Sequence, residues 1–232
     1  MRHHLSTRVA AREIDVSHKT VWRWRHKVML RLMPGQSPML TGIVEADETY
    51  FRRNYKGSAP VGRHRRRRGT ENGSKRGLGK DKVPVLVVRS RNGDTQSVVL
   101  PGTATAGALS AALRGVIDSH GTTLCTDGSG ALRMAARSLQ VKHVALVTKR
   151  NERKHGIYHV QTVNSYQGRL KEWLAPFRGV ATKYLNRYLT WHIIHERIGR
   201  LTAAQARSVL VGNTAELMGD GCCPNCGAAL NA

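Results

Sequence analysis

The sequence predicts an α/β protein with a mixed sheet covered by helices on both faces and a pair of helices before it. Between residues 39 and 147, alternating or continuous apolar runs typical of strands are interspersed with helical patterns. Between about residues 162 and 199, apolar residues recur at steps of three and four, which is typical of helices. A strand meander followed by helix, strand, helix, strand and two helices favours a layered α/β domain.

Residues 1–34 are predicted to form a helix-turn-helix segment. Ser6 and Ser17 each precede a helical pattern and can cap it, one from Thr7 to about Ile14 and one from near His18. The second helix carries an apolar stripe, formed by Val21, Trp24, Val28 and Leu32. In such motifs the second helix enters the major groove, so we expect DNA contacts from its basic side chains, Arg23, Arg25 and Lys27. The alternative is an ordinary amphipathic pair that packs on the main domain.

The main domain is expected at residues 39–200, after a linker marked by Pro34, Gly35 and Pro38. It opens with an extended segment, Met39–Tyr50, and contains a predicted hairpin around Asn92-Gly93, a strong turn signal. The hairpin strands are 83–90 and 94–101. The remaining elements are a helix at 105–119, a strand at 122–126, a helix near 131–138, a strand near 141–147, and helices near 162–177 and 180–199.

The charge balance predicts a polyanionic partner. The chain has 38 Lys and Arg against 15 Asp and Glu, a net charge of +23. Residues 52–82 hold 12 of the basic residues and 6 glycines, so we expect a solvated loop that phosphates neutralise. Its centre is a run of arginines that we expect to bind DNA, Arg65, Arg66, Arg67 and Arg68. Because there is no long apolar run and no signal peptide, we expect a cytoplasmic, nucleoid-associated protein and no membrane partner.

Three polar positions are candidates for chemistry. Asp47 lies within an apolar strand, where a carboxylate is costly unless it is paired or metal-bound. Alternation places Glu45 on the same face as Asp47 and Glu48 on the opposite face. Asp127 follows a short strand, a common ligand position, although Asp-Gly is more often only a turn. On the helix at 162–177, the flank of the buried stripe carries Asn164, Gln167 and Lys171; a rim asparagine and a surface lysine are the plain alternative.

The segments VEADETYF, TTLCTDGSGALRMA and HVQTVNSYQGRLKEWLAPFRGVATKYLNRYLTWH carry a family resemblance. Together they resemble DDE-type insertion-sequence transposases over about residues 5–200. More narrowly, they resemble the bacterial ISXO-like branch, in which Asn replaces the third acidic ligand and Lys follows it. The resemblance implies a ribonuclease-H-like fold and matches Asp47, Asp127 and Asn164 to a metal-binding triad and Lys171 to the trailing basic residue.

This resemblance implies a DNA transposase that cleaves and joins phosphodiester bonds by two-metal catalysis with Mg²⁺ or Mn²⁺. The implied partners are terminal inverted repeats, target DNA and further copies of the chain. Glu172 and Glu45 are alternative acids, ranked below the matched residues.

The tail, residues 201–232, contains one Cys-x-x-Cys pair, Cys223 and Cys226. A structural zinc site usually takes four ligands, so zinc here is a minor expectation. The resembled family commonly has a zinc ribbon before its helix-turn-helix, and this chain lacks one, so the first alternative is a catalytically degenerate DNA-binding copy. A second alternative is an RNA-binding basic protein, which leaves the buried Asp47 unexplained.

Overall fold

A computed structural model of the protein describes residues 6–33, 39–57, 81–146 and 154–199. The predicted linker, the arginine run Arg65–Arg68 and the cysteine tail lie outside these ranges. The elements are α1 (Thr7–Glu13), α2 (His18–Arg31), β1 (Leu40–Arg52), β2 (Lys82–Ser90), β3 (Thr95–Val99), α3 (Ala106–Arg114), β4 (Ile117–Thr126), α4 (Gly130–Ser138), β5 (Lys142–Ala145), β6 (Lys154–His155), β7 (Tyr158–His159), α5 (Gln161–Leu174) and α6 (Leu185–Ile198), with 3₁₀ turns at Ala175–Phe177 and Thr182–Tyr184. No helix within the described ranges is long and apolar enough to cross a membrane.

Helices α1 and α2 begin where the capping residues predict. The Ser6 hydroxyl accepts from the Val9 N–H and the Ser17 hydroxyl from the Thr20 N–H, which satisfies donors that a helix start leaves unpaired. The predicted apolar stripe is wrong in part. Trp24 is 50% exposed and Val28 is 44% exposed, whereas the buried side of α2 includes Met29 and His26. The buried face is therefore displaced around the helix from the predicted one, and apolar side chains are left at the surface.

The predicted mixed sheet is confirmed, with five strands in the order β3-β2-β1-β4-β5. Strand β1 is antiparallel to β2, and β2 is antiparallel to β3. On its other edge β1 runs parallel to β4, which in turn is parallel to β5. The predicted hairpin joins β2 and β3, where Gly93 adopts φ 93° and its N–H donates to Ser90 O. This topology agrees with the ribonuclease-H-like fold that the resemblance implies.

Helices cover both faces of the sheet. The face that carries Val44 and Ala46 of β1 packs on α3 and α4 in one apolar cluster. The opposite face carries Glu45 and Asp47 and packs on α5, whose Val163, Tyr166 and Leu170 are fully buried. Alternation along β1 therefore separates an apolar core from a polar layer under α5.

Two parts of the predicted element map are corrected. The predicted helix at 105–119 ends at Arg114, and β4 begins at Ile117 rather than at Thr122. Gly115 follows the last helical residue, and Ile117 enters the sheet opposite Leu40. The short hairpin of β6 and β7 has no counterpart in the prediction, because strands of two residues leave no periodic signal.

The connection between α5 and α6 contains a tight turn that contacts the end of β1. Gly179 adopts φ +88°, and a Cβ built there meets the Asn54 Nδ2 atom at 2.7 Å. Asn54 is held in place because its N–H donates to the Thr182 hydroxyl (2.8 Å) and its carbonyl accepts from the Thr182 N–H (2.9 Å). A side chain at Gly179 thus meets backbone strain and the Asn54 amide, whose Oδ1 atom accepts from the Lys56 N–H at 3.0 Å.

We expect Gly179→Ala to lower the free energy of unfolding by about 1–3 kcal/mol, the usual cost of a non-glycine residue held in a sparsely populated conformation. Urea denaturation followed by circular dichroism measures the change. Gly168→Ala is the matched control, since Gly168 is an exposed position of α5 with no atom near its built Cβ. This control should gain about 0.5–1 kcal/mol. If the free energy of unfolding changed in the same direction in both variants, the interpretation would be contradicted.

The described residues form two compact units. The chain divides between Gly35 and Gln36 and again between Leu189 and Thr190. One unit contains α1, α2 and the C-terminal part of α6, and the other contains the whole sheet with α3, α4 and α5. In the first unit, the Arg25 guanidinium lies 5.7 Å from the centre of the Trp191 ring.

Candidate metal centre

The parallel pairing of β1 and β4 brings two aspartates to the same level of the sheet. Glu45 lies opposite Cys125, so the same register carried two residues further places Asp47 level with Asp127. Asp47 is half-buried within β1, and Asp127 is exposed directly after the last residue of β4. The Asp127 carboxylate also accepts from the Ser129 N–H (2.9 Å), which orients it at the turn. The Asp127 carboxylate therefore accepts a hydrogen bond within the turn and also lies close to Asp47.

Glu48 completes a cluster of three carboxylates. Asp47, Glu48 and Asp127 each offer an oxygen atom, and these oxygens all lie within 4.8 Å of one another. Simple alternation predicts Glu48 on the opposite face, and that expectation is wrong for its carboxylate. Glu45 is the last residue of β1 that pairs with β4, and within the described ranges no strand pairs with Glu48 on that side. The longer glutamate side chain reaches the cluster there.

The cluster concentrates negative charge that the described residues neutralise only in part. Burial raises the pKa of Glu48 to about 7, and the charges of Asp47 and Asp127 add to the effect. Burial also raises the pKa of Asp47, followed by the charge of Asp127, while the Gln167 hydrogen bond and the Lys171 ammonium oppose the rise. Three nearby oxygen ligands in partly buried surroundings are a typical donor set for a hard divalent cation.

We expect the metal-free protein to lose stability through these carboxylates as the pH rises from about 4.5 to about 7. The ordinary pKa of Glu48 is 4.5 and its folded value is about 7, so the folded state binds more protons than the unfolded state in this window. The free energy of unfolding then falls with rising pH. Urea midpoints in EDTA at pH 5 and pH 8 measure the change for wild type and Glu48→Gln. Because other groups titrate in this range too, the decisive quantity is how much more the urea midpoint falls between pH 5 and pH 8 in wild type than in Glu48→Gln. Equal falls in the two proteins would show that Glu48 is not the origin of the effect.

Helix α5 contributes a buried amide to the cluster. The Gln167 Nε2 atom donates to the Asp47 Oδ2 atom at 3.0 Å, and Gln167 is only 7% exposed. Gln167, one of the three residues of the predicted polar row on α5, therefore contacts a carboxylate of the cluster.

Asn164 and Lys171 lie on the same helix and are both exposed. Lys171 is close enough to Asp47 for its charge to lower the pKa of that carboxyl. The side-chain amide of Asn164 makes no hydrogen bond to another described residue. Glu172 is exposed and is not a member of the carboxylate cluster. The ligand role of Asn164 and the phosphate role of Lys171 stay predictions.

The predicted DNA-binding side chains fall into two groups. On α2, Arg23 and Lys27 are exposed and Arg25 is half-buried, so the first two are accessible to a ligand. The arginines at 65–68 lie outside the described residues. DNA contact by either group remains a prediction.

Comparison with known proteins decides the family. The model of the ISXO2-like transposase domain matches residues 39–191, which include the three clustered carboxylates and all of α5. The chain belongs to the ISXO2-like transposase family. This confirms the resemblance carried by the segments around Asp47, Asp127 and Asn164.

A relative from a transposable element and two solved structures are also similar to this chain. It is 30% identical over 217 residues to "Uncharacterized protein in transposable element ISH50" of Halobacterium salinarum (strain ATCC 700922 / JCM 11081 / NRC-1), across 91% of the chain and 71% of the relative. Among solved structures, a chain of the simian T-cell lymphotropic virus intasome in complex with PP2A regulatory subunit B56 gamma is 14% identical, with a TM-score of 0.34 and coverage of 97% of this chain and 69% of that one. A chain of a pre-cleavage Mos1 transpososome is 12% identical, with a TM-score of 0.33 and coverage of 91% and 74%. Neither superposition is close.

Proposed function

We propose that this transposase cleaves and joins DNA phosphodiester bonds at insertion-sequence ends, using divalent metal held by Asp47, Glu48 and Asp127. The observation that carries the proposal is the convergence of these three carboxylates within 4.8 Å in a member of a transposase family. Asn164 and Lys171 are proposed to complete the site, the first through its neutral carbonyl and the second through its charge.

The donor set suits Mg²⁺ or Mn²⁺. Both ions prefer carboxylate and carbonyl oxygens, and the cluster offers oxygen ligands only. Burial, followed by the charges of the neighbouring carboxylates, raises the pKa values of Asp47 and Glu48. A bound cation supplies a counter-charge, which favours the deprotonated ligands.

The chain's own residues orient the reacting groups in this proposal. Divalent metal at the cluster would activate water or a 3′ hydroxyl and stabilise the leaving oxygen. The Gln167 amide fixes one oxygen of Asp47, and the Ser129 N–H fixes one oxygen of Asp127, so both carboxylates are oriented in advance. Lys171 is a cation near Asp47 and suits contact with the scissile phosphate or with one of its neighbours in the strand.

DNA recognition is proposed for the basic parts of the chain. The net charge of +23 suits a polyanion whose phosphates displace bound counterions. Helix α2 presents Arg23 and Lys27 at its exposed surface, as a recognition helix requires. Arg25 and the arginines at 65–68 are proposed as further contacts to terminal repeats or target DNA. Assembly of several copies on the DNA ends belongs to the same proposal.

Cleavage of end-labelled duplex DNA that carries the repeats flanking the gene tests the function. Wild-type protein should nick this DNA at the repeat boundary with Mg²⁺ or Mn²⁺, and should stop when EDTA is added. Duplex DNA of scrambled repeat sequence is the control. Specific binding without nicking would instead support the degenerate DNA-binding copy. No preference for repeat DNA over scrambled DNA would support the RNA-binding alternative.

A further inference from the structure

Glu45 is a fully buried carboxylate, 0% exposed, two residues before Asp47 on the same face of β1. It is not a member of the three-carboxylate cluster. A buried carboxylate is costly unless its charge is compensated, so its partners show what it is for.

The first partner of Glu45 is the start of α5. Its Oε2 atom accepts from the Val163 N–H at 2.9 Å. Val163 is the third residue of α5, where backbone N–H groups have no partner within the helix. The residue before the helix, Val160, provides no capping side chain, so Glu45 supplies from β1 the acceptor that a capping residue normally supplies. Its negative charge also suits the positive end of the helix dipole.

The second set of partners surrounds the Oε1 atom. This oxygen lies 3.1 Å from the Arg91 Nε atom and 3.3 Å from the His159 Nδ1 atom, at ion-pair distance although without ideal hydrogen-bond angles. Arg91 follows β2, and His159 ends β7 just before α5. The carboxylate therefore joins three segments that are remote in the chain.

The side chains of Arg91 and His159 also contact each other. The Arg91 Nη1 atom lies 2.6 Å from the His159 Nε2 atom, and its Nη2 atom donates to Ile157 O at 3.0 Å. Arginine can only donate, so Nε2 accepts from Arg91, and the Nδ1 atom accepts from the Gln161 N–H at 3.3 Å, in the first turn of α5. Arg91 and Val163 thus direct N–H groups at Glu45, and the His159 ring lies between Glu45, Arg91 and the first residue of α5.

We propose that Glu45 is a positioning residue that fixes the first turn of α5 on β1, and thereby sets Asn164, Gln167 and Lys171 against the acidic cluster. Val163 is four residues before Gln167, whose amide reaches Asp47 at 3.0 Å. Both contacts join the same helix to the same strand, so they set its distance and its rotation together. The inference rests on the proposed function for its effect on cleavage, but not for the anchor itself.

Glu45→Gln tests the role with nearly unchanged volume. The glutamine amide carries no charge and has one oxygen in place of two. Its NH₂ group must therefore face either the Val163 N–H or the Arg91 side chain, both of which need an acceptor. We expect hydrogen exchange of the amides in the first turn of α5 to rise about tenfold, as loss of one charge-assisted hydrogen bond implies. Cleavage at saturating DNA should fall by about 10-fold or more, the usual cost of losing an outer partner of a metal site. Affinity for repeat DNA should stay within about twofold, and affinity for Mn²⁺ should fall by less than it does in Asp47→Asn, since Glu45 binds neither directly in this proposal.

The controls separate an anchor from a ligand and from a general folding defect. Asp118→Asn removes a carboxylate at the opposite end of β4, where it accepts from the His120 N–H, and should change none of these quantities. Arg91→Gln, at a side chain 29% exposed, provides a second route to the same loss of exchange protection if Glu45→Gln does not fold.

Unchanged exchange in α5 together with unchanged cleavage would overturn the proposal. A fall in Mn²⁺ affinity as large as that of Asp47→Asn would make Glu45 a ligand instead and would also overturn it. If wild type shows no metal-dependent cleavage, the proposed function fails, whereas the exchange measurement still decides whether Glu45 holds the helix.

Discussion

Asp47→Asn and Asp127→Asn should each reduce metal-dependent strand cleavage by more than about 100-fold, beyond the usual cost of losing an outer partner of a metal site. Each substitution keeps the shape of the side chain and removes one of three negative charges within 4.8 Å. Affinity for repeat DNA should not fall, because a negative charge near the phosphates is lost. Cleavage of labelled duplex DNA and a gel-shift titration on the same preparations measure the two effects.

Glu172→Gln is the matched control for these aspartates. It removes a carboxylate from α5 at an exposed position outside the cluster, so cleavage should stay within about twofold of wild type, as is usual for distant surface sites. Asp47→Asn protein that still cleaves at the wild-type rate would exclude Asp47 as a ligand. A control that loses as much activity as the aspartate variants would show that charge on α5, rather than the cluster, is what matters.

Glu48→Gln should lower the affinity for Mn²⁺ by about 10-fold or more, an effect comparable to disturbing a partner of a metal ligand. The reason is that Asn164 supplies at most a neutral oxygen, which makes a third carboxylate valuable for holding the cation. Calorimetric titration of Mn²⁺ into the metal-free protein gives the affinity directly. The same variant should show a smaller rise in unfolding temperature on adding Mn²⁺ than wild type does.

Asn164→Ala is the informative partner of Glu48→Gln. If Glu48 provides the third charge, the Asn164 variant should lose less Mn²⁺ affinity than the Glu48 variant. The opposite order would return the third ligand position to Asn164, and equal wild-type affinity in Glu48→Gln would remove Glu48 from the site. Both outcomes are read from the same titration.

Much of the fold could be predicted because local patterns and tertiary structure agree. Ser6 and Ser17 cap the helices that follow them, and the Asn92-Gly93 hairpin joins the strands that its turn chemistry predicts. The end of α3 was placed too late, since Val116 continues the helical pattern although Gly115 ends the helix. The position of Ile117 opposite Leu40 depends on pairing across the sheet, which no local pattern contains.

The site was predicted only where strand position determines it. Asp47 could be predicted because it is a charged residue within an apolar strand. Asp127 could be predicted because it is an acidic residue directly after a strand. Glu48 was missed because alternation describes Cβ directions, whereas its carboxylate lies several bonds further out, beside an open edge. Gln167 was recognised as part of a polar row, but which member of the row meets Asp47 depends on the rotation of α5 on the sheet. Burial and tertiary contacts, rather than residue type, distinguish these side chains.

The parallel pairing of β1 with β4 also bears on how the protein is synthesised. Asp47 and Asp127 are 80 residues apart in the chain (127 − 47), and α5 follows later still. A ribosome has therefore completed α1 and α2 long before the residues of the acidic site exist together, and pairing between such remote segments is slow. Because α1 and α2 form one unit with the C-terminal part of α6, this unit too is complete only after the last described helix has been synthesised.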